Sequence, residues 1–156
     1  MKELFEALEH VSSGEGFVFL DTCFLFDLFD REKKLIKGYN YAVSSFNVEE
    51  LISISHRLHK DKVAIRRLLK EHSFVVFDID VHIGDFESEK KYVKSVDNEL
   101  LKLIPDASDA VLLALAVLTK SIVLTKDKHH LFTVQLENFI DRYGIKVYKE
   151  IKELKG

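Results

Sequence analysis

Short apolar runs alternate with stretches of helical periodicity along this chain, and this alternation restricts the possible fold more than any other feature. Apolar residues between the runs recur every three or four positions, which is typical of helices packed on one face. Five runs have the length and composition of strands: 17–20, 41–46, 74–77, 122–124 and 145–148. Strands that alternate with helices predict an α/β fold with a mainly parallel sheet and right-handed crossovers.

The segment that precedes the first strand is predicted to be a helical extension over residues 1–16. Its apolar residues fall on one helical face, and the stretch SSGEG at 12–16 then breaks the helix. The residues on that face are Leu4, Phe5, Leu8 and Val11. The first ten residues carry three acids, so we expect a helix here and not a signal peptide.

Helix starts are predicted from capping residues further along the chain. Asn47 is the expected N-cap of the helix after the second strand, and either Asp106 or Ser108 is expected to cap the Ala-rich helix at 109–119. Residues 86–103 predict one long amphipathic stretch, because Phe86 and four later apolar residues share roughly one side.

Composition restricts the class of protein. With 156 residues, of which 47% are hydrophobic, the chain is expected to form one domain, over 1–156, with its own core. The most apolar stretch, 17–29, is interrupted by Asp21 and Asp27, so no membrane span is expected. The single cysteine, Cys23, cannot form an internal disulfide, which favours a reducing compartment and a cytoplasmic location. The net charge of −3 means that a polyanionic partner must bind at a local basic patch.

Four acids stand where a parallel sheet brings its polar residues together. Asp21 directly follows the first strand, and Glu50 lies four residues beyond the second. Asp109 opens the Ala-rich helix, and Asp127 follows the strand to which that helix leads. Because ligands bind beyond the carboxyl ends of parallel strands, all four are expected at one edge of the sheet. Carboxylates held together repel one another, and hard divalent cations such as Mg²⁺ or Mn²⁺ neutralise them.

Each acid also has a purely structural interpretation. Asp21 and Asp109 would supply negative charge near helix N-termini, where the helix dipole favours it. Glu50 would complete a capping box by accepting from the Asn47 N–H. Asp21 fits the structural interpretation least well, because an unpaired charge inside an apolar run costs several kcal/mol.

Four segments of the chain resemble the motifs of PIN-domain ribonucleases. They are VFLDTC at 18–23, VEEL at 48–51, SDAVLLA at 108–114 and LTKD at 124–127. They occur in the family's order, and the resemblance covers about 17–148. It implies a three-layer α/β/α fold and metal-dependent cleavage of RNA, often by homodimers. The family's acids would be Asp21, Glu50, Asp109 and Asp127, and Thr22 and Thr125 would be supporting hydroxyls.

Two features depart from the family pattern. Cys23 stands where many PIN domains carry Asn or Ser, which weakens any hydrogen bond expected from that position. The segment before the first strand is also unlike the short start of many PIN-domain toxins of the VapC-like type, whose chains begin almost at that strand.

A basic segment follows the second motif. Between His56 and His72, six Lys or Arg stand against two acids, a local charge of +4. Arg66 and Arg67 are the candidates there for contacts with RNA phosphates, and the alternative is a solvated helix face. Lys126, inside the last motif, is a further candidate by position alone.

The sequence therefore predicts a divalent-metal-dependent endoribonuclease. Four carboxylates would hold one or two Mg²⁺ or Mn²⁺ ions, a metal-activated water would attack the phosphorus, and one carboxylate would orient that water. One alternative is an RNA-binding or assembly module without turnover. A second is the toxin of a toxin–antitoxin pair, and an antitoxin or an RNA-processing protein would then be a partner.

Overall fold

A computed structural model describes residues 1–31, 33–59, 61–126 and 133–155, and its strands form one parallel sheet. The strands are β1 (Glu9–Val11), β2 (Val18–Leu20), β3 (Tyr41–Ser44), β4 (Val75–Phe77), β5 (Ile122–Leu124) and β6 (Val147–Tyr148). Their order is β1-β4-β3-β2-β5-β6, and every neighbouring pair is parallel. β2 therefore lies between β3 and β5, at the point where the chain reverses its direction across the sheet. Such a switch point is where open α/β sheets form a ligand crevice.

Helices cover both faces of this sheet. They are α1 (Lys2–Glu6), α2 (Thr22–Asp30), α3 (Ser45–Ile54), α4 (Lys62–Glu71), α5 (Phe86–Val96), α6 (Leu100–Leu103), α7 (Ala107–Thr119) and α8 (Val134–Arg142). Short 3₁₀ turns occupy Ser55–Arg57 and Ile151–Lys155. None of the helices in the described ranges combines the length and the apolar character needed to cross a membrane.

Alternation along the strands separates two apolar cores. In β2, Phe19 packs on one face with α5 to α8, whereas Val18 and Leu20 pack on the other with α1 to α4. Side chains that alternate in this way line both faces of a strand, and all three residues of β2 are buried. The predicted three-layer α/β/α fold with a parallel central sheet is confirmed.

The predicted helical extension is wrong beyond its first turns. The helix ends at Glu6, and residues 9–11 form the edge strand β1, which pairs with β4. Leu8 packs in the core on one face of the sheet and Val11 in the core on the other, so the two residues do not share a helical face. Backbone pairing with β4 decides the conformation here, and helical periodicity cannot reveal such pairing.

The predicted N-cap of α3 is also wrong. β3 ends at Ser44, and the Ser44 hydroxyl caps the helix by accepting from the Asn47 backbone N–H at 3.0 Å. Asn47 is the third residue of α3 and Glu50 the sixth, so Glu50 is too far along the helix to complete a capping box.

One further boundary differs from the prediction, and one of two alternative caps is confirmed. The stretch 86–103 is two helices, α5 and α6, separated at Asp97, and Phe86 is 68% exposed instead of facing the core. Of the two candidate caps for α7, Asp106 is the one observed, and its carboxylate accepts from the Ser108 backbone N–H at 3.0 Å.

Candidate active site

Asp21 lies at the carboxyl end of the central strand β2 and is held from three directions. Its Oδ1 accepts from the Phe24 backbone N–H at 2.9 Å, which caps α2, and from the Cys23 thiol at 3.0 Å. Its Oδ2 accepts from the hydroxyl of Thr125, a buried residue that directly follows β5. The predicted position at a helix N-terminus is therefore observed, with Asp21 as the N-cap, and a contact joins the ends of two adjacent strands.

Glu50 lies on α3, beyond the carboxyl end of the neighbouring strand β3. Its Oε1 accepts from the Thr22 hydroxyl at 2.9 Å and from the Asn47 side-chain amide at 3.0 Å. Since Thr22 immediately follows Asp21, this hydrogen bond connects the first and second motif acids at one edge of the sheet. Asn47 is only 4% exposed, and its amide oxygen in turn accepts from the Ser44 hydroxyl at 2.6 Å.

The charges at this edge act on one another. Burial is the main cause that raises the pKa of Glu50 to about 7, and the negative charges of Asp21 and Asp109 raise it further. The hydrogen bonds from Thr22 and Asn47 act in the opposite direction. Asp21 and Asp109 therefore lie close enough to Glu50 for their charges to act on its carboxylate.

Asp109 occupies the first turn of α7, where the helix dipole favours a negative charge. The neighbouring Ser108 lines a cavity of about 370 Å³ together with Thr22 and Glu50. Phe86 lies at the same cavity, so an exposed aromatic ring lies beside the acid edge of the sheet.

Among the described residues, Lys126, Arg66 and Arg67 are predicted site residues that do not line the cavity beside Glu50. Asp127 lies outside the described residues. Lys126 donates to Glu150 at 3.0 Å and lies 5.3 Å from the centre of the Phe24 ring, beside the helix that Asp21 caps. Arg66 and Arg67 are exposed on α4, and neither lines the cavity beside Glu50.

A metal site is not complete among the residues that the structure describes. In those ranges, no group of three or more His, Cys, Asp or Glu side chains is arranged to hold one metal ion. The chemistry of Asp21, Glu50 and Asp109 nevertheless suits a hard divalent cation, because all three offer carboxylate oxygens and their charges are crowded. These carboxylates fit Mg²⁺ or Mn²⁺ in kind and in charge.

Three residues at the site have contacts that differ from the sequence predictions or were not predicted. Asn47 is not the cap that the sequence predicts, and Ser44, a serine three residues earlier at the end of β3, is the sequence signal of the true cap. Cys23 does donate to Asp21, and the loss of hydration around the thiol, followed by the charge of Asp21, raises the pKa of Cys23 to about 12. Glu89 is 1% exposed, lines the cavity beside Glu50 and has one carboxylate oxygen without a hydrogen-bond partner among the described residues. Nothing in the sequence pointed to Glu89.

The fold and these contacts define an α/β/α protein with carboxylates at the switch point of its sheet. A family model of the PIN domain matches residues 18–133, which begin at β2 and end at the N-cap of α8. The chain belongs to the PIN-domain family, as the four motifs indicated. PIN domains are generally nucleases, which places the protein among the hydrolases, and they typically use divalent metals. Comparison with curated proteins and with solved structures gave no match.

Proposed function

We propose that this protein is a divalent-metal-dependent endoribonuclease built on a single PIN-like domain. The observation that carries the proposal is the hydrogen bond to Glu50 from Thr22, the residue directly after Asp21, at the ends of two adjacent strands. Asp109 acts electrostatically on the same carboxylate from the start of α7. Hydrolysis of RNA phosphodiester bonds is the activity that best fits this edge and the family.

Asp21, Glu50, Asp109 and Asp127 would hold Mg²⁺ or Mn²⁺ in this proposal. A bound divalent cation supplies Lewis acidity at the phosphate and favours ionisation of a water. The protein's own contribution is orientation. Thr125 and Cys23 hold the two oxygens of Asp21, and Thr22 and Asn47 hold one oxygen of Glu50. Carboxylates fixed in this way need little rearrangement when substrate binds.

The Glu49 and Glu50 pair offers a matched test of the activity. Glu49 pairs with His82 and also accepts from the Ile83 backbone N–H at 3.1 Å, so it makes a different set of contacts from its neighbour. Cleavage of a panel of single-stranded RNAs is compared in Mn²⁺ and in EDTA for the wild type, Glu50→Gln and Glu49→Gln. We expect Mn²⁺-dependent cleavage that Glu50→Gln reduces by orders of magnitude and Glu49→Gln leaves near wild type.

Two results would contradict the proposal. Near-wild-type cleavage by folded Glu50→Gln would remove Glu50 from the site. RNA binding without Mn²⁺-dependent cleavage by the wild type, across the whole panel, would favour the non-catalytic RNA-binding module. A homodimer, an antitoxin or RNA-processing partner and a cytoplasmic location remain predictions from the sequence and the family resemblance.

A further inference from the structure

Two surface grooves meet at Lys33, on the side of the sheet that α2 covers. The first, of about 530 Å³, begins at Cys23 beside Asp21 and contains Lys126 and Lys149; we call it the acid-side groove. The second, of about 520 Å³, lies between the end of α2, the segment 33–37 and α4; we call it the α4 groove. Lys33 lines both, so the two grooves adjoin there, and the acid-side groove reaches the acid edge at Cys23, whose thiol donates to Asp21.

The α4 groove is strongly basic in a protein of net charge −3. Its cationic residues are Lys33, Lys34, Lys37 and Arg67, and Glu71 is the one acid among the described residues that line it. In the acid-side groove, by contrast, Arg31 and Lys33 pair with Asp27, and Lys126 pairs with Glu150.

Three of the cations in the α4 groove are exposed and are not paired with an acid of the described ranges. Lys34, Lys37 and Arg67 are exposed, and none forms an ion pair with another described residue. The groove is also lined by the apolar residues Leu28, Phe29 and Ile65, which are buried. Several exposed cations around one groove suit a flexible polyanion, whose phosphates they can neutralise.

The length of α2 sets the distance from the acids to the α4 groove. Asp21 caps the helix, and Leu28 and Phe29 near its other end line the groove. Nine helical residues at a rise of ~1.5 Å extend about 14 Å, which corresponds to about four nucleotides of a stacked strand at ~3.4 Å each. A single-stranded RNA that is cut at the acids would therefore reach Arg67 after only a few nucleotides.

We propose that the α4 groove is a second binding site for the phosphate backbone of the single-stranded RNA substrate. Lys34, Lys37 and Arg67 contact phosphates that lie a few nucleotides from the scissile bond. The assignment rests on the proposed ribonuclease function, and it selects RNA over an acidic peptide because the α4 groove adjoins, at Lys33, the groove that contains Cys23 beside Asp21.

Arg66 provides a matched control for Arg67. Both are exposed and adjacent on α4, but Arg66 lines a separate cavity of about 290 Å³ with Leu4 and Leu8, on the α1 side of the helix. The sequence pattern does not distinguish the two arginines, whereas in the structure they line different cavities. At 0.1 M salt, screening over ~10 Å limits any general charge effect of removing Arg66.

The test measures binding of a fluorescein-labelled 12-nucleotide RNA to the intact protein in EDTA, across a salt series. One lost phosphate contact lowers the salt slope by about 0.7, which corresponds to about fivefold weaker binding at 0.1 M salt. We expect this result for Arg67→Ala, a larger loss for Arg67→Ala combined with Lys34→Ala, and wild-type binding for Arg66→Ala.

Several outcomes would overturn the assignment. They are equal losses in Arg66→Ala and Arg67→Ala, no loss in either, or no binding by the wild type at low salt. Poly-glutamate that competes as well as RNA at equal charge would indicate an acidic peptide as the occupant. Because the binding assay contains EDTA, it is independent of catalysis. A wild type that binds RNA through Arg67 but shows no Mn²⁺-dependent cleavage would contradict the proposed ribonuclease function and support the proposed RNA site in the α4 groove.

Discussion

The side-chain amide of Asn47 donates to Glu50 Oε1 at 3.0 Å from one turn earlier on the same helix. The backbone N–H of the same Asn47 is capped by Ser44, and its amide also donates to the Thr22 hydroxyl at 3.0 Å. One buried residue thus connects the start of α3, the residue after Asp21 and the second motif acid. The stability of the helix start and the orientation of Glu50 are expected to change together.

Asn47→Ala should lower the free energy of unfolding by about 1–3 kcal/mol, because it leaves buried hydrogen-bonding groups of Ser44, Thr22 and Glu50 without this partner. Urea unfolding at pH 8, where Glu50 is ionised, measures the loss. Ser53→Ala is the control, since the Ser53 hydroxyl donates to the Glu50 carbonyl at an exposed position of the same helix. An Asn47→Ala protein as stable as Ser53→Ala would show that this network contributes little.

Millimolar Mn²⁺ or Mg²⁺ should raise the melting temperature of the wild type, because a ligand that binds only the native state stabilises it by mass action. Asp109→Asn should abolish most of that rise. Asp106→Asn removes one charge from the same helix start and keeps an effective N-cap, so its metal-dependent rise should stay near wild type. Thermal melts with and without metal make the comparison. A midpoint that metal does not move, or equal effects of the two substitutions, would contradict the role of Asp109.

The metal-free protein should lose stability as pH rises from about 5 to 8. The pKa of Glu50 is raised from 4.5 to about 7 in the folded state, so the folded state binds the proton more tightly than the unfolded state. The stabilisation is complete below the unfolded value and is lost as pH rises through the folded value, by about 3 kcal/mol in total. Urea unfolding in EDTA should show this decline in the wild type.

Glu50→Gln isolates this contribution, because the other titrating groups are present in both proteins. Relative to wild type, the free energy of unfolding of Glu50→Gln should increase between pH 5 and pH 8. Parallel pH profiles for the two proteins would mean that Glu50 keeps an ordinary pKa and that the acids are not crowded.

The sequence by itself determined the alternation of strands and helices and the positions of the acids along it. Both follow from local patterns: apolar spacing reports burial, and a residue next to a strand end stays at that end in any parallel arrangement. For this reason Asp21 could be assigned to the edge of the sheet before any contact was known, and the family resemblance added Thr22 and Thr125 as supporting hydroxyls. The three-layer fold was predicted from the family resemblance, which rests on four short local motifs.

Only the tertiary structure decided the contacts between segments distant in sequence. Pairing with β4 makes residues 9–11 a strand although their spacing resembles a helix, and Ser44 caps α3 because β3 ends there. Arg66 and Arg67 are equivalent as a sequence pattern, but α1 packs beside one and the segment 33–37 beside the other. Lys33 lines two grooves because the segment that follows α2 passes beside α4. These relationships depend on packing across the sheet, and no local pattern of residues contains that information.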